Sequence, residues 1–175
     1  MAAKPKDPLL MIAKGIVWFL LGIVAFAGII VAISAPGVLL FGGEFAGAHE
    51  GMALTMNMRL LIAGLLAGVA LALFLAWRFF LHLLRIVRSV GEGDPFVPAN
   101  ADRLTAMAWL MLAINVIGLP LAALGAWIAA TVGEEPGTAD VGVDFGGLLL
   151  ILTLFILARV FRHGTQLRED LEGTV

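Results

Sequence analysis

Apolar residues in this chain run in four long blocks, and the charged residues fall almost entirely between and beyond them. The blocks cover residues 9–34, 58–90, 101–131 and 146–162. A hydrocarbon core about 30 Å thick takes roughly 20 apolar residues per helical crossing, and each block is close to or beyond that length. Within lipid a spanning segment must satisfy its own backbone hydrogen bonds, so an apolar block of this kind is a helix. The pattern predicts an all-α integral membrane protein. It has a single domain over residues 1–175, with four transmembrane helices in an antiparallel, up-down bundle.

The breaks between blocks carry their own signals. Ala35-Pro36-Gly37 marks the end of the first span, and the Gly-rich outer loop 36–56 follows it with Glu44, His49 and Glu50. The second span starts at Asn57 or Met58 and can stay helical to Ser89 or Val90. At about 1.5 Å per residue it is about 48 Å long, so its basic end reaches or passes the membrane interface. The loop 91–100 opens with Gly91-Glu92-Gly93-Asp94-Pro95-Phe96-Val97-Pro98, where glycine stops the helix and two prolines fix φ and remove donors. Asn100 is the expected N-cap of the third span, with Asp102 in its first turn and Pro120 as a kink inside it. A second outer loop, 132–145, holds Glu134, Glu135, Asp140 and Asp144 without a base, and a tail, 163–175, follows the fourth span.

Composition agrees with the pattern. The chain is 61% hydrophobic and 14% charged, with a mean hydropathy of +1.04. Soluble domains carry about a quarter charged residues, so this chain lacks the polar residues to cover a water-facing surface. Of its 11 Lys and Arg residues, all but Arg59 lie in the two terminal tails and around the central loop. Short loops rich in Lys and Arg stay cytoplasmic, so both termini are expected in the cytoplasm. An even number of spans requires the termini to share a side, so the count and the charge agree. A cleaved signal peptide is the competing reading of the first span, with Ala32 and Ser34 as small residues near its end. The apolar stretch exceeds the 7–15 residues of a signal core, which favours a retained span. The chain has no cysteine, which removes disulfides and thiolate chemistry.

Candidate chemistry is sparse. Arg78, His82 and Arg85 stand at i, i+4 and i+7 on one face of the second span, with Arg88 one turn further. They serve as lipid headgroup contacts by snorkelling, or they dock the acidic tail. In the second case Glu169, Asp170 and Glu172 pair with Arg85 and Arg88 and bring the tail against Asp94-Pro95-Phe96. Asn115, with Pro120 beyond it, is the polar residue near the middle of a span and the site a transporter would use. His82 with His163 invites a haem reading, and His49 with Glu44 and Glu50 a cation reading, but neither set has a ligand spacing that identifies a site. No cofactor or metal is therefore assigned. Gly64 and Gly68, and Gly118, Ala122 and Ala126, are spaced by four and suit close helix contact, within the chain or in a homo-oligomer. No Ser/His/Asp set, phosphate-binding loop or H-E-x-x-H motif occurs, which points away from an enzyme. The bases hug the membrane among acids, so direct nucleic-acid binding is not expected.

Gly93-Asp94-Pro95-Phe96-Val97, followed by Asn100 and Arg103-Leu104, resembles the central loop of a family of small bacterial membrane proteins, domain of unknown function 2975 (DUF2975). Val160-Phe161-Arg162-His163-Gly164, then Leu167-Arg168-Glu169-Asp170 and Gly173-Thr174-Val175, resembles that family's C-terminus. The first two spans match it in layout alone. The resemblance implies a four-span inner-membrane protein without an established activity, whose relatives often occur beside a small helix-turn-helix DNA-binding regulator. It therefore implies a loop-and-tail docking surface in which Asp94, Pro95, Phe96, Arg168, Glu169 and Asp170 meet a protein partner. The competing reading of Phe96, favoured by the stiffness of Pro95 and Pro98, packs it back onto the end of the bundle. The leading function is thus a non-enzymatic regulatory or sensory membrane protein. The alternatives are a small oligomeric transporter or channel around Asn115, and a haem or quinone redox protein.

Overall fold

The computed structural model describes residues 8–47, 55–132 and 144–172, without the side chains at 43–47, 132, 169, 171 and 172. Four helices account for nearly all of it: α1 (Pro8–Gly47), α2 (Met56–Glu92), α3 (Pro98–Val132) and α4 (Phe145–Glu172). All four are long and apolar enough to cross a membrane, over Pro8–Gly42, Met56–Glu92, Pro98–Thr131 and Phe145–Arg168. Only 6% to 22% of each helix's most apolar stretch is buried inside the protein. Side chains such as Phe19, Phe26, Ile33 and Leu149 therefore face outward. Surface of that kind has no stable home in water and suits lipid.

Three helix boundaries differ from the sequence pattern, each for a physical reason. α1 does not end before Pro36; it runs through it to Gly47. Pro36 removes one ladder hydrogen bond, but abandoning the helix among apolar residues would expose many more backbone groups. Val38-Leu39-Leu40-Phe41 then supplies a further apolar run. α3 starts at Pro98, so Asn100 is its third residue and not its N-cap. Proline suits a first helical position because its missing N–H would be unpaired there anyway. α4 continues through the expected tail to Glu172. The last three residues of the tail, with Glu134, Glu135, Asp140, His49 and Glu50 of the expected outer loops, lie outside the described residues, as do the side chains of Glu44, Glu169 and Glu172.

By its internal contacts the chain divides into two units. The first takes α1 up to Ile23, α2 from Leu75, α3 up to Ala113, and α4. Its core joins Leu104, Met107 and Ala108 of α3 to Leu154 and Ala158 of α4, with Phe79, Leu83 and Ile86 of α2 packed against them. A second cluster joins Val17 and Leu21 of α1 to Leu84 of α2. Ala108 and Ala158 are small enough to let α3 and α4 approach closely, and in lipid such packing supplies the association energy that water exclusion supplies elsewhere.

The second unit takes α1 from Val24, α2 up to Phe74 and α3 from Ile114. Here glycine sets the spacing. Gly68 lies directly under Leu121, where a Cβ would overlap the leucine side chain. A Cβ at Gly125 would stand 3.8 Å from Leu65, and one at Gly28 would stand 3.7 Å from Leu73. Of the G-x-x-x-G pair, Gly68 is thus used inside the chain, while a Cβ at Gly64 would meet nothing within 4 Å. Gly118 is equally open, and the tight contact of α3 with α2 is Leu121 over Gly68.

Candidate functional site

The most elaborated polar structure lies where α2 turns into α3, within the first unit. α2 ends in a Schellman motif. Gly93 adopts φ 88°, a left-handed conformation that costs glycine little. Its N–H donates to the Val90 carbonyl at 3.1 Å, and the Asp94 N–H donates to the Ser89 carbonyl at 3.2 Å. Gly91 stays helical, so Gly93 is the glycine that stops the helix. The chain then runs through Pro95 to Val97, whose carbonyl accepts the Asn100 N–H at 2.9 Å and starts α3.

Asn100 ties this corner together. It is fully buried. Its Nδ2 donates to Ser89 Oγ at 2.7 Å and to the Pro95 carbonyl at 2.9 Å. Its Oδ1 accepts from Arg103 Nη1 at 2.8 Å. Ser89 Oγ passes its own proton to the Ile86 carbonyl at 2.8 Å. One amide therefore links the end of α2, the middle of the loop and the second turn of α3, with both of its N–H groups used. Residue type alone makes Asn100 a cap and gives Ser89 no role. Periodicity gives the better reading: Asn100, Leu104 and Met107 share the i, i+4, i+7 stripe that faces the core.

The last turns of α4 close over the loop. The rings of Phe96 and Phe161 lie 5.3 Å apart, tilted by 35°. Gly164 passes beneath Phe96, and a Cβ there would come within 3.0 Å of the ring. Arg168 forms an ion pair with Asp94, both side chains being about half exposed. Thr165 is buried between these contacts and returns its hydroxyl to the Phe161 carbonyl at 2.8 Å. The two stretches that carry the family resemblance, Asp94 to Asn100 and Phe161 to Asp170, thus meet in one platform. Phe96 leans on α4 but keeps 43% of its surface, and Leu167 keeps 55%. Asp170 is also exposed. Tail and loop are joined through a base of the tail and an acid of the loop, while the expected pairing of Glu169 and Glu172 with Arg85 and Arg88 falls on side chains outside the described residues.

The remaining candidates are dispersed. Arg78, Arg85 and Arg88 are exposed along α2, and His82 between them is half-buried. Asn115 is half-buried on α3 in the second unit, and it is not without a partner. His163 is exposed on α4. Among the described residues no cluster of His, Cys, Asp and Glu could hold a metal ion.

The family described as "Protein of unknown function (DUF2975)" matches residues 45–175, three quarters of the chain. The chain belongs to DUF2975. The DUF2975 match takes in α2 as well as α3 and α4, so it reaches further back than the loop and tail that first suggested it. It leaves out nearly all of α1. No curated protein and no solved structure matches the chain.

Proposed function

We propose that this DUF2975 protein is a non-enzymatic regulatory protein of the bacterial cytoplasmic membrane that holds a protein partner on its loop-and-tail platform. The observation that carries the reading is the latch itself: Asp94 with Arg168, and Phe96 with Phe161 and Gly164. It sets Phe96 and Leu167 as two exposed apolar side chains beside Arg168 and Asp170 on a braced surface. Apolar anchors within a charged rim are how protein interfaces gain affinity and register. The partner we favour is a small helix-turn-helix regulator, by analogy with the neighbourhood of this family.

Both termini and the platform are placed in the cytoplasm. The distribution of Lys and Arg supports this. Helix contacts support an up-down arrangement. Along α1 and α2 they pair Gly28 with Leu73 and Gly42 with Arg59; along α3 and α4 they pair Thr105 with Arg162 and Trp109 with Phe155. In each pair of helices one number rises as the other falls.

Mild purification of the tagged chain from its host tests the function. A helix-turn-helix protein should copurify, and Phe96→Asp or Leu167→Asp should remove it while Trp18→Ala does not. Recovery that ignores both platform substitutions would contradict the proposal.

A further inference from the structure

A groove of about 840 Å³ runs along the last turns of α4 beside α3, on a face distinct from the platform. Its walls change character along its length. Phe155 and Ile156 line the apolar end, and Arg159, Arg162 and His163 line the polar end, with Thr105 contributed by α3. From Phe155 to Arg162 the helix rises about 10 Å. That distance separates an acyl chain's upper methylenes from a headgroup phosphate.

The cationic end is set in place by neighbours. Arg162 Nη2 reaches Thr105 Oγ1 at 3.5 Å and Asp102 Oδ1 at 3.6 Å. The Asp102 side chain is 77% exposed, so this pair is weak and readily exchanged for a stronger acceptor. Asp102 offsets one positive charge; Arg159 and a ring N–H of His163 remain. Two guanidinium groups recognise a phosphate with fixed geometry where a mobile ammonium would not. At the apolar end Trp109 stacks edge-on against Phe155, the ring centroids 5.6 Å apart, and is itself 60% exposed. Exposed tryptophan is characteristic of the membrane–water boundary. The α4 wall of the groove falls within the Phe145–Arg168 stretch long and apolar enough to cross the membrane, so its apolar end opens to lipid.

We infer that this groove binds one anionic phospholipid, its phosphate held by Arg159, Arg162 and His163 and its acyl chain laid along Phe155 and Ile156. The inference needs the membrane-spanning character of α4 and does not depend on a protein partner. General snorkelling of bases to headgroups would be unselective in place. It would involve Arg85 and Arg88 on α2 as much as Arg159 and Arg162 on α4.

Native mass spectrometry of the delipidated full chain in detergent separates these cases, with phosphatidylglycerol, phosphatidylcholine or inorganic phosphate added in turn. One phosphatidylglycerol should bind in preference to phosphatidylcholine. The double substitution Arg159→Gln/Arg162→Gln should weaken it by about tenfold or more, given the strength of charge-assisted hydrogen bonds. Arg85→Gln/Arg88→Gln should leave it unchanged, and Arg159→Lys/Arg162→Lys should retain part of it. Tryptophan fluorescence and elution volume confirm that each variant is folded. Equal binding of both lipids, equal loss in the α2 variant, or displacement of the lipid by millimolar inorganic phosphate would overturn the inference.

Discussion

Replacing Asn100 by alanine is the sharpest test of how the platform is built. The substitution removes three hydrogen bonds, to Ser89 Oγ, to the Pro95 carbonyl and from Arg103. The losses are unequal. Ser89 Oγ keeps its own bond to the Ile86 carbonyl, and Arg103 is half-buried and can turn towards water. The Pro95 carbonyl loses the amide donor it has in Asn100 Nδ2. A typical intramolecular hydrogen bond contributes about 0.5–1.5 kcal/mol net, and a stranded buried polar group costs about 1–3 kcal/mol. The expected destabilisation is therefore about 2–3 kcal/mol, or roughly a 30- to 150-fold shift in the folded ratio. Ser89→Ala should cost less, because Asn100 keeps its other two partners. Since both residues serve one network, the double variant should cost less than the sum of the single ones. Denaturant titration of the purified protein in detergent micelles, followed by tryptophan fluorescence, gives these energies. Limited proteolysis between Gly93 and Val97 reports whether the loop is what loosens. Asn100→Ala within about 0.5 kcal/mol of the parent, the range of an ordinary surface change, would show that the corner does not depend on this amide.

Three further outcomes follow from the packing. Gly164→Val should push Phe96 off α4 and cost about 1–3 kcal/mol in the same titration, whereas Gly164→Ala should be nearly neutral because a gain in helix propensity of about 1 kcal/mol offsets a small shift of the ring. Asp94→Arg and Arg168→Asp should each speed proteolysis of the loop by up to about fivefold, as befits a half-exposed pair, and the charge-swapped double variant should restore the parent rate. Gly68→Leu should lower the melting temperature by driving into Leu121, and Gly64→Leu, which meets nothing within 4 Å, should leave it unchanged.

The sequence pattern made the four helices legible because hydropathy over 20 or more residues averages out local exceptions. What it obscured were places where lipid changes the rules for single residues. Pro36 reads as a stop by the habits of soluble helices, yet α1 continues to Gly47 because a broken helix would strand more backbone than one proline does. Gly91 and Gly93 look alike in sequence, and only the left-handed backbone of the second identifies the stop. Asn100 has the residue type of a cap and the periodicity of a core position, and the core position prevailed because Pro98 starts the helix. The contact of tail with loop was legible as a region but not in its chemistry. Charge runs point to acids of the tail and bases of α2, and they do not disclose that Arg168 meets Asp94 or that the larger contact is Phe96 against Phe161 and Gly164. Ring-on-glycine packing leaves no charge signature. A glycine inside a helix, in line with a phenylalanine in a stiff loop, is the trace it does leave.

A photocrosslinking amino acid placed at Phe96 and at Leu167, in cells of the native host, tests the docking role most directly. The two positions should each yield one discrete protein adduct of the same mass, and positions such as Phe26 on α1 or Trp127 on α3 should not. Adducts only to lipid, or the same adducts from all four positions, would contradict a protein-binding platform.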